Sequence, residues 1–156
     1  SSPFIEKAIY ESCKIKKKVV EKDEKETALR KILNFGHTFA HAYEASLGYS
    51  HKLNHGEAVI LGIKTALSFS LKENMLSKSE YNLIINHIDN SGLPSSIKKY
   101  FSIKDLNKIL SFMIKDKKNN SEKINLVLLK KIGKPIFNKQ YSKKNLSLFL
   151  KKFLSN

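Results

Sequence analysis

Apolar residues recur at helical spacing through most of the chain. Aliphatic or aromatic side chains occupy positions i, i+3, i+4 and i+7 in successive segments, which polar stretches containing Gly or Pro separate. This pattern predicts helices over residues 3–22, 28–47, 56–74, 77–90 and 142–154, and a further helix that begins at Ser102 or Asp105 and ends near residue 115. Asp23 or Thr27 is expected to cap the second of these helices, because short polar side chains satisfy backbone N–H groups at helix starts.

One β-prone stretch interrupts the helical pattern near the C-terminus. Residues 124–129 form an aliphatic run, and Gly133-Lys134-Pro135 then leads into Ile136-Phe137. A turn between two such runs predicts a small hairpin. We find no internal repeat and no linker that would divide the sequence. The pattern therefore predicts a mainly α fold in a single domain over residues 1–156.

The predicted helix over residues 28–47 has two unlike faces. Its apolar stripe consists of Leu29, Ile32, Leu33, Phe39, Ala40, Tyr43 and Leu47. The opposite stripe, which begins just before the helix, consists of Glu26, Arg30, Asn34, His37 and His41, and its spacing would stack these side chains along one side of a helix. An ordinary solvated face would carry Lys and Glu. A carboxylate, a guanidinium, an amide and two imidazoles together indicate the wall of a site.

A third imidazole follows in the next loop, from either His51 or His55. Single histidines on helices are usually surface or satisfied core residues. A loop that returns an imidazole to a helix already offering His37 and His41 is a plausible metal arrangement, because imidazole nitrogen is a preferred zinc ligand.

The net charge of +15 raises the possibility of a basic nucleic-acid-binding module. The excess is spread along the chain and is almost entirely Lys, and Arg30 is the only arginine. Because base and phosphate recognition favours the planar fork of Arg, the composition disfavours nucleic acid. The sole Arg instead lies in the polar stripe, where a bidentate grip on an anion would need it.

Other features of the sequence bear on location. The longest apolar run, residues 58–69, is interrupted by Lys64, so no membrane span is predicted. The first residues carry no secretory signal pattern, and Cys13 is the only cysteine, which excludes an internal disulfide. A reducing, cytoplasmic location is expected.

The motif residues resemble one enzyme family closely. The run Arg30-x-x-x-Asn34-x-Gly36-His37-Thr38-x-x-His41-Ala42 is followed by Gly48-Tyr49 and then by His55-Gly56-Glu57-Ala58-Val59. This combination resembles 3-dehydroquinate synthase, the NAD- and zinc-dependent cyclase of the shikimate pathway. Residues 113–118, 124–129 and 132–133 also resemble that family, so the likeness runs from about residue 16 to 133. It implies a multi-helix C-terminal domain of the dehydroquinate synthase-like fold.

The resemblance implies a metal site and residues for proton transfer. Zinc, or cobalt in its place, would be held by His37 and His55, with His51 as the competing candidate for the second position. The third ligand in the family is a Glu upstream of the matched region, and this chain has no counterpart. His41 and Glu26 match family residues assigned to proton transfer.

The resemblance also implies an anionic substrate, 3-deoxy-arabino-heptulosonate 7-phosphate, which the family converts to 3-dehydroquinate and phosphate. Arg30 and Lys16 match residues that grip its anionic end, and Asn34 matches a hydrogen-bonding position. Lys117 or Lys118 matches a lysine near the substrate phosphate, and the spacing leaves the choice open.

No Gly-rich dinucleotide fingerprint occurs in these residues. In the family, NAD binds chiefly to an N-terminal α/β domain. The chain therefore resembles the C-terminal domain alone, which would work with that N-terminal domain and, by resemblance, as a homodimer. By itself it is expected to bind zinc weakly and not to turn over.

Three alternatives remain open at this point. Another sugar-phosphate cyclase of the same scaffold would act on a substrate without a carboxylate, and would leave Arg30 and Lys16 unpaired. A metal-dependent polyol or alcohol dehydrogenase would share a His pair but not the Arg-x-x-x-Asn stripe. A basic helical nucleic-acid-binding module would carry the imidazoles incidentally, and its affinity would fall steeply with salt.

Overall fold

Helices and one antiparallel hairpin make up the described part of the chain, residues 2–93, 95–115 and 123–155, in this computed structural model. The elements are α1 (Pro3–Lys22), α2 (His37–Ser46), α3 (His55–Lys72), α4 (Lys78–Asn90), α5 (Leu106–Lys115), β1 (Lys123–Lys131), β2 (Lys134–Ser142) and α6 (Lys143–Ser155). Short 3-10 turns span Leu29–Asn34, Ile97–Lys99 and Ile103–Asp105. The predicted fold class, mainly α with a small hairpin, is confirmed. The chain divides into two units, residues 1–34 and 35–156.

The first unit contains α1 and the 3-10 turn Leu29–Asn34. Pro3 lies at the first turn of α1, where its missing N–H costs nothing. No residue of α1 is buried, and large apolar side chains are exposed along it, from 81% for Phe4 to 59% for Ile5, Ile9 and Ile15. Patches of this kind mark surfaces that bind another apolar surface. Phe4, Ile5, Ile9 and Ile15 therefore present an exposed apolar surface on α1.

The prediction of one continuous helix over residues 28–47 was wrong. The backbone forms the 3-10 turn Leu29–Asn34, turns at Phe35-Gly36, and begins α2 only at His37. Gly36 has φ +82°, a conformation that a helix interior does not contain. Glu26 lies outside any helix, with φ +55°. The stripe that the sequence suggested is thus carried by three pieces of backbone rather than one.

The core of the second unit is built around α2 and α3. Both helices are buried along much of their length, and α5, β1 and α6 close over them. The largest fully buried side chains are Tyr43, Phe39, Phe69, Leu61, Leu67, Ile109, Leu110, Met113, Ile124, Leu126, Leu128 and Leu146. At the centre, the hydroxyl of Tyr43 lies 2.8 Å from Oγ1 of Thr65, which donates to the carbonyl of Leu61. The buried polar groups here are thus paired.

Two glycines set how closely α2 and α3 approach. A Cβ on Gly62 would collide with the carbonyl oxygen of Gly36 and lie 2.9 Å from the amide nitrogen of Ala40. A Cβ on Gly36 would lie 2.6 Å from the amide nitrogen of Ile63. The backbones of the two elements are therefore in direct contact, which no larger residue permits.

The hairpin pairs β1 with β2 from Lys123↔Ser142 to Lys131↔Lys134, with register irregularities between Leu126 and Leu128 and between Leu129 and Lys131. It is tied to α3 by Ser70, whose hydroxyl donates to the carbonyl of Ala66 and accepts from the backbone N–H of Leu129. None of the described helices is both long and apolar enough to cross a membrane.

Candidate metal centre

Three imidazoles meet at one end of α2 and α3. His37 and His41 lie one turn apart on α2, and His55 is the first residue of α3. The ring centroids lie 5.6 Å apart for His37 and His41, 5.9 Å for His37 and His55, and 6.3 Å for His41 and His55. His41 and His55 are exposed, whereas His37 is half-buried. The structure thus brings together His37, His41 and His55, and His51 is an exposed residue of the loop before α3.

Local backbone chemistry explains why His55 lies there. α2 ends in a turn in which Gly48 and Tyr49 have positive φ, and the N–H of Tyr49 donates to the carbonyl of Glu44. The chain then returns, and Asn54 and Glu57 form a capping box, in which the Glu57 carboxylate accepts from the N–H of Asn54 at 2.8 Å. The cap starts α3 at His55 and so fixes where that imidazole leaves the backbone.

Two of the three rings have a defined partner at Nδ1. Nδ1 of His37 lies 3.4 Å from the carbonyl oxygen of Phe35, and Nδ1 of His55 lies 3.1 Å from each carboxylate oxygen of Glu44. A carbonyl or an ionised carboxylate can only accept, so a neutral ring at either position carries its hydrogen on Nδ1. The lone pair of such a ring is on Nε2. Metal-binding histidines commonly have this arrangement, with the other ring N–H bound to an oxygen.

The separation of His37 and His55 also suits a shared metal ion. Two imidazoles on one tetrahedral zinc, with zinc–nitrogen bonds of about 2.0–2.1 Å, have ring centroids roughly 5 Å apart. The observed 5.9 Å lies within a small side-chain adjustment of that value. The described residues contain no group of three or more His, Cys, Asp or Glu side chains that could hold a metal ion. The centroid distance is thus compatible with His37 and His55 as two donors to one metal ion.

The remaining polar residues of the predicted stripe lie in the first unit. Nδ2 of Asn34 donates to the Glu26 carboxylate at 2.6 Å, and Nη1 of Arg30 donates to the carbonyl oxygen of Glu24 at 2.7 Å. Lys16 is exposed on α1. Glu26 and Asn34 are thus in contact with each other, and Arg30 is held by the neighbouring backbone. Lys117 and Lys118 lie outside the described residues.

Asp23 organises the turn that carries Arg30. Its carboxylate accepts from the backbone N–H groups of Arg30, Ala28 and Thr27 and from the hydroxyl of Thr27, at 2.8–3.0 Å. The cap expected at Asp23 or Thr27 is therefore made by Asp23, to which Thr27 donates. The N–H of Arg30, with these other donors, lowers the pKa of Asp23 to about 2.

This carboxylate makes the stability of the first unit dependent on acid. Because the pKa of Asp23 is about 2 in the folded chain and ordinarily 3.8, its contribution is complete above pH 3.8 and is lost as the pH falls through 2. We expect Asp23→Asn to be less stable than the wild type at pH 7, and the difference to shrink below about pH 4. Amide exchange at Arg30 and Ala28, measured from pH 7 to 2, tests this. A difference that stays constant down to pH 2 would contradict it.

One residue of this region escaped the sequence analysis. Glu44 follows His37 by seven residues and His41 by three, so all three share one face of α2. That spacing was the available signal. A Glu on a helix is usually a solvated residue, so this spacing alone did not indicate a contact with His55.

Comparison with known proteins now adds to this geometry. Residues 1–119 match the family model described as 3-dehydroquinate synthase C-terminal. The chain is 64% identical over 154 residues to a 3-dehydroquinate synthase from Pelagibacter ubique. The matched stretch covers 99% of this chain and 42% of the relative. It is 43% identical to the enzyme of that name from Endomicrobium trichonymphae, over 82% of the chain and 34% of the relative. The chain thus spans about two fifths of the length of the curated relatives it matches.

A solved structure has a similar fold. The crystal structure of 2-deoxy-scyllo-inosose synthase complexed with carbaglucose-6-phosphate, NAD+ and Co2+ matches with a TM-score of 0.66 at 23% identity, over 83% of this chain and 36% of that one. At this level of identity the likeness concerns the fold alone. It agrees with the mainly α architecture that the sequence predicted.

Proposed function

This chain belongs to the 3-dehydroquinate synthase family, and we propose that it is the metal- and substrate-binding part of a 3-dehydroquinate synthase. The reaction converts 3-deoxy-arabino-heptulosonate 7-phosphate to 3-dehydroquinate and phosphate, within the shikimate pathway of aromatic amino acid biosynthesis. The observation that carries the proposal is the family match over residues 1–119, which includes the His37, His41 and His55 cluster.

The metal would be zinc, or cobalt in its place, held through Nε2 of His37 and of His55. When bound, such an ion polarises substrate hydroxyl groups and lowers the cost of removing their protons. The Nδ1–H groups of the two rings, bound to the Phe35 carbonyl and the Glu44 carboxylate, hold the rings in the tautomer that this role requires. The third donor comes from a segment beyond this chain.

His41 and Glu26 would move protons during the reaction. An imidazole suits this work because its ordinary pKa is near neutrality. His41 lies one turn from His37 and 5.6 Å from it between ring centroids, close enough to act on a substrate held at the metal. Glu26 accepts from Asn34 at 2.6 Å, which orients its carboxylate.

Cations would hold the two anionic ends of the substrate. Arg30 and Lys16 would bind the carboxylate end, with Asn34 as a further hydrogen-bonding residue. Arg30 suits a carboxylate because its planar guanidinium can donate two parallel hydrogen bonds. Lys117 or Lys118, outside the described residues, would lie near the phosphate.

NAD would be bound mainly by a further, N-terminal domain, which completes the site. The exposed apolar residues of α1 support this need for a partner surface, since Phe4, Ile5 and Ile9 have no core to enter in the described chain. We place the enzyme in the cytoplasm, as a homodimer. The basic composition is spread over the chain, so we do not assign it a nucleic-acid partner.

A second candidate is another sugar-phosphate cyclase. A protein of similar fold, 2-deoxy-scyllo-inosose synthase, was solved with carbaglucose-6-phosphate, so the fold itself does not separate the two candidates. That ligand has no carboxylate, and a substrate of this kind would leave the Arg30 guanidinium without its anion. The two candidates therefore differ in whether the carboxylate of the substrate is required.

The proposal is tested by phosphate release from 3-deoxy-arabino-heptulosonate 7-phosphate. The assay uses the protein extended upstream to the full length of its relatives, with NAD and zinc supplied. We expect turnover by the extended protein, none by this chain alone, and a loss of at least about a thousandfold for His37→Ala, because a metal ligand is removed.

The control is His87→Ala, which removes an exposed imidazole on α4. It should release phosphate at the wild-type rate. No release by a folded, zinc-loaded extended protein would refute the assignment. Phosphate release only from hexose 6-phosphates, which have no carboxylate, would favour the second candidate.

A further inference from the structure

We propose that Glu44 is the positioning residue of the metal centre, and that it fixes the tautomer and orientation of His55 for metal binding. This inference rests on the proposed function, because it assigns His55 to a metal ion. Glu44 would act through His55 and not by touching the metal or the substrate. The sequence led us to expect the metal ligands of this site but not Glu44, which lies on α2.

The contact has the geometry of an oriented pair. Both carboxylate oxygens of Glu44 lie 3.1 Å from Nδ1 of His55, so the ring N–H points between them. The Glu44 side chain is 13% exposed and that of His55 is 60% exposed. The carboxylate is thus the better shielded partner, and the more exposed ring lies against it.

The backbone holds Glu44 in place. Its carbonyl oxygen accepts from the N–H of Leu47 at 3.1 Å and of Tyr49 at 2.9 Å, in the turn that closes α2. Ala42, Tyr43, Ala45 and Ser46 around it are buried in the core. A carboxylate on such a rigid base can orient a ring on the next helix, as a positioning residue must.

The Glu44 carboxylate contacts one nitrogen of His55 and leaves the other nitrogen for the metal ion. Nδ1 and Nε2 lie on different sides of the imidazole ring, so a carboxylate at Nδ1 leaves Nε2 directed elsewhere. A negative partner at Nδ1–H also raises the electron density available at Nε2, which strengthens its bond to a cation. Both effects favour metal binding through Nε2 of His55.

A second carboxylate nearby provides the matched comparison. Glu57 lies two residues after His55, but its carboxylate accepts from the N–H of Asn54 at 2.8 Å as part of the helix cap. Glu57→Gln and Glu44→Gln therefore each remove one negative charge near His55. Only Glu44→Gln affects the hydrogen bond to the His55 ring.

The first test measures by calorimetry the Co2+ affinity of the protein extended upstream to the full length of its relatives. We expect Glu44→Ala to weaken binding about 10- to 100-fold, the usual effect of losing such an outer partner. Glu44→Gln should weaken it less, because the amide oxygen still accepts, and Glu57→Gln should leave it within about twofold. If Glu44→Gln and Glu57→Gln lowered the Co2+ affinity equally, the loss would come from the removed negative charge and not from the hydrogen bond to His55. That result would overturn the proposal.

The second test needs no metal. Long-range 1H–15N NMR of the wild type, at a pH where imidazole is ordinarily neutral, should show His55 protonated at Nδ1. Glu44→Ala should shift it toward the Nε2–H form. His55 protonated at Nε2 in the wild type, or unchanged in the variant, would overturn the role of Glu44.

The two tests also separate this inference from the proposed function. If His55→Ala leaves Co2+ affinity unchanged, the metal assignment fails, whatever the tautomer. If His55→Ala abolishes binding and Glu44→Ala changes neither affinity nor tautomer, the metal centre remains and the inference about Glu44 fails.

Discussion

Gly62→Ala is expected to destabilise the second unit, residues 35–156, strongly. The added methyl group would collide with the carbonyl oxygen of Gly36 and approach the amide nitrogen of Ala40 to 2.9 Å. Both neighbours are backbone atoms, which cannot rotate away as a side chain can. Overpacking a core costs about 1–3 kcal/mol, and we expect at least about 3 kcal/mol here because α2 and α3 would have to separate. Urea denaturation followed by circular dichroism measures this.

Gly56→Ala is the matched control on the same helix. A Cβ at Gly56 would meet nothing within 4 Å, and its backbone does not have a positive φ. The substitution should be neutral or stabilise the fold by about 0.4–1 kcal/mol, because alanine restricts the unfolded chain. Similar unfolding midpoints for Gly62→Ala and Gly56→Ala would show that the close contact of α2 and α3 does not determine stability.

The same contact explains what the sequence could not predict about the fold. Helical periodicity located α1, α3, α4, α5 and α6, because the apolar stripe of each is defined by its own residues. A β-prone run followed by a turn located the hairpin. The break at Phe35-Gly36 is not visible in that periodicity. It depends on Gly62 and Ile63, which lie far away in sequence and meet the backbone of Gly36. A glycine inside a helical pattern was the local sign of it.

The site was predictable to a similar degree. The spacing of His37 and His41 and the following loop histidine pointed to a cluster of imidazoles, because such residues are unusual on a solvated face. Glu44 was harder to recognise, because its partner His55 lies on another helix. The position of Asp23 predicted a helix cap, but not that its carboxylate accepts from the backbone N–H of Arg30, seven residues further on.

Arg30→Ala is expected to lower kcat/KM of the upstream-extended protein about 100- to 1,000-fold. In the proposed function, its guanidinium binds the substrate carboxylate, and truncating one partner of such a pair costs about 2–5 kcal/mol. The fold of the turn should survive, because Asp23 accepts from the backbone N–H of Arg30, which alanine keeps. The side-chain bond to the Glu24 carbonyl is lost, but it lies on an exposed surface. Steady-state phosphate release measures the effect.

Arg30→Lys and Lys25→Ala make this prediction specific. Lysine keeps the charge but lacks the planar fork, so Arg30→Lys should recover only a small part of the lost kcat/KM. Lys25→Ala removes an exposed cation of the same unit and should change kcat/KM by less than about threefold, since an exposed charge contributes little. Full activity in Arg30→Lys would mean that a positive charge at this position is sufficient to bind the substrate carboxylate. An equal loss in Lys25→Ala would instead indicate a general electrostatic effect, and Arg30 would then not be the residue that recognises the carboxylate.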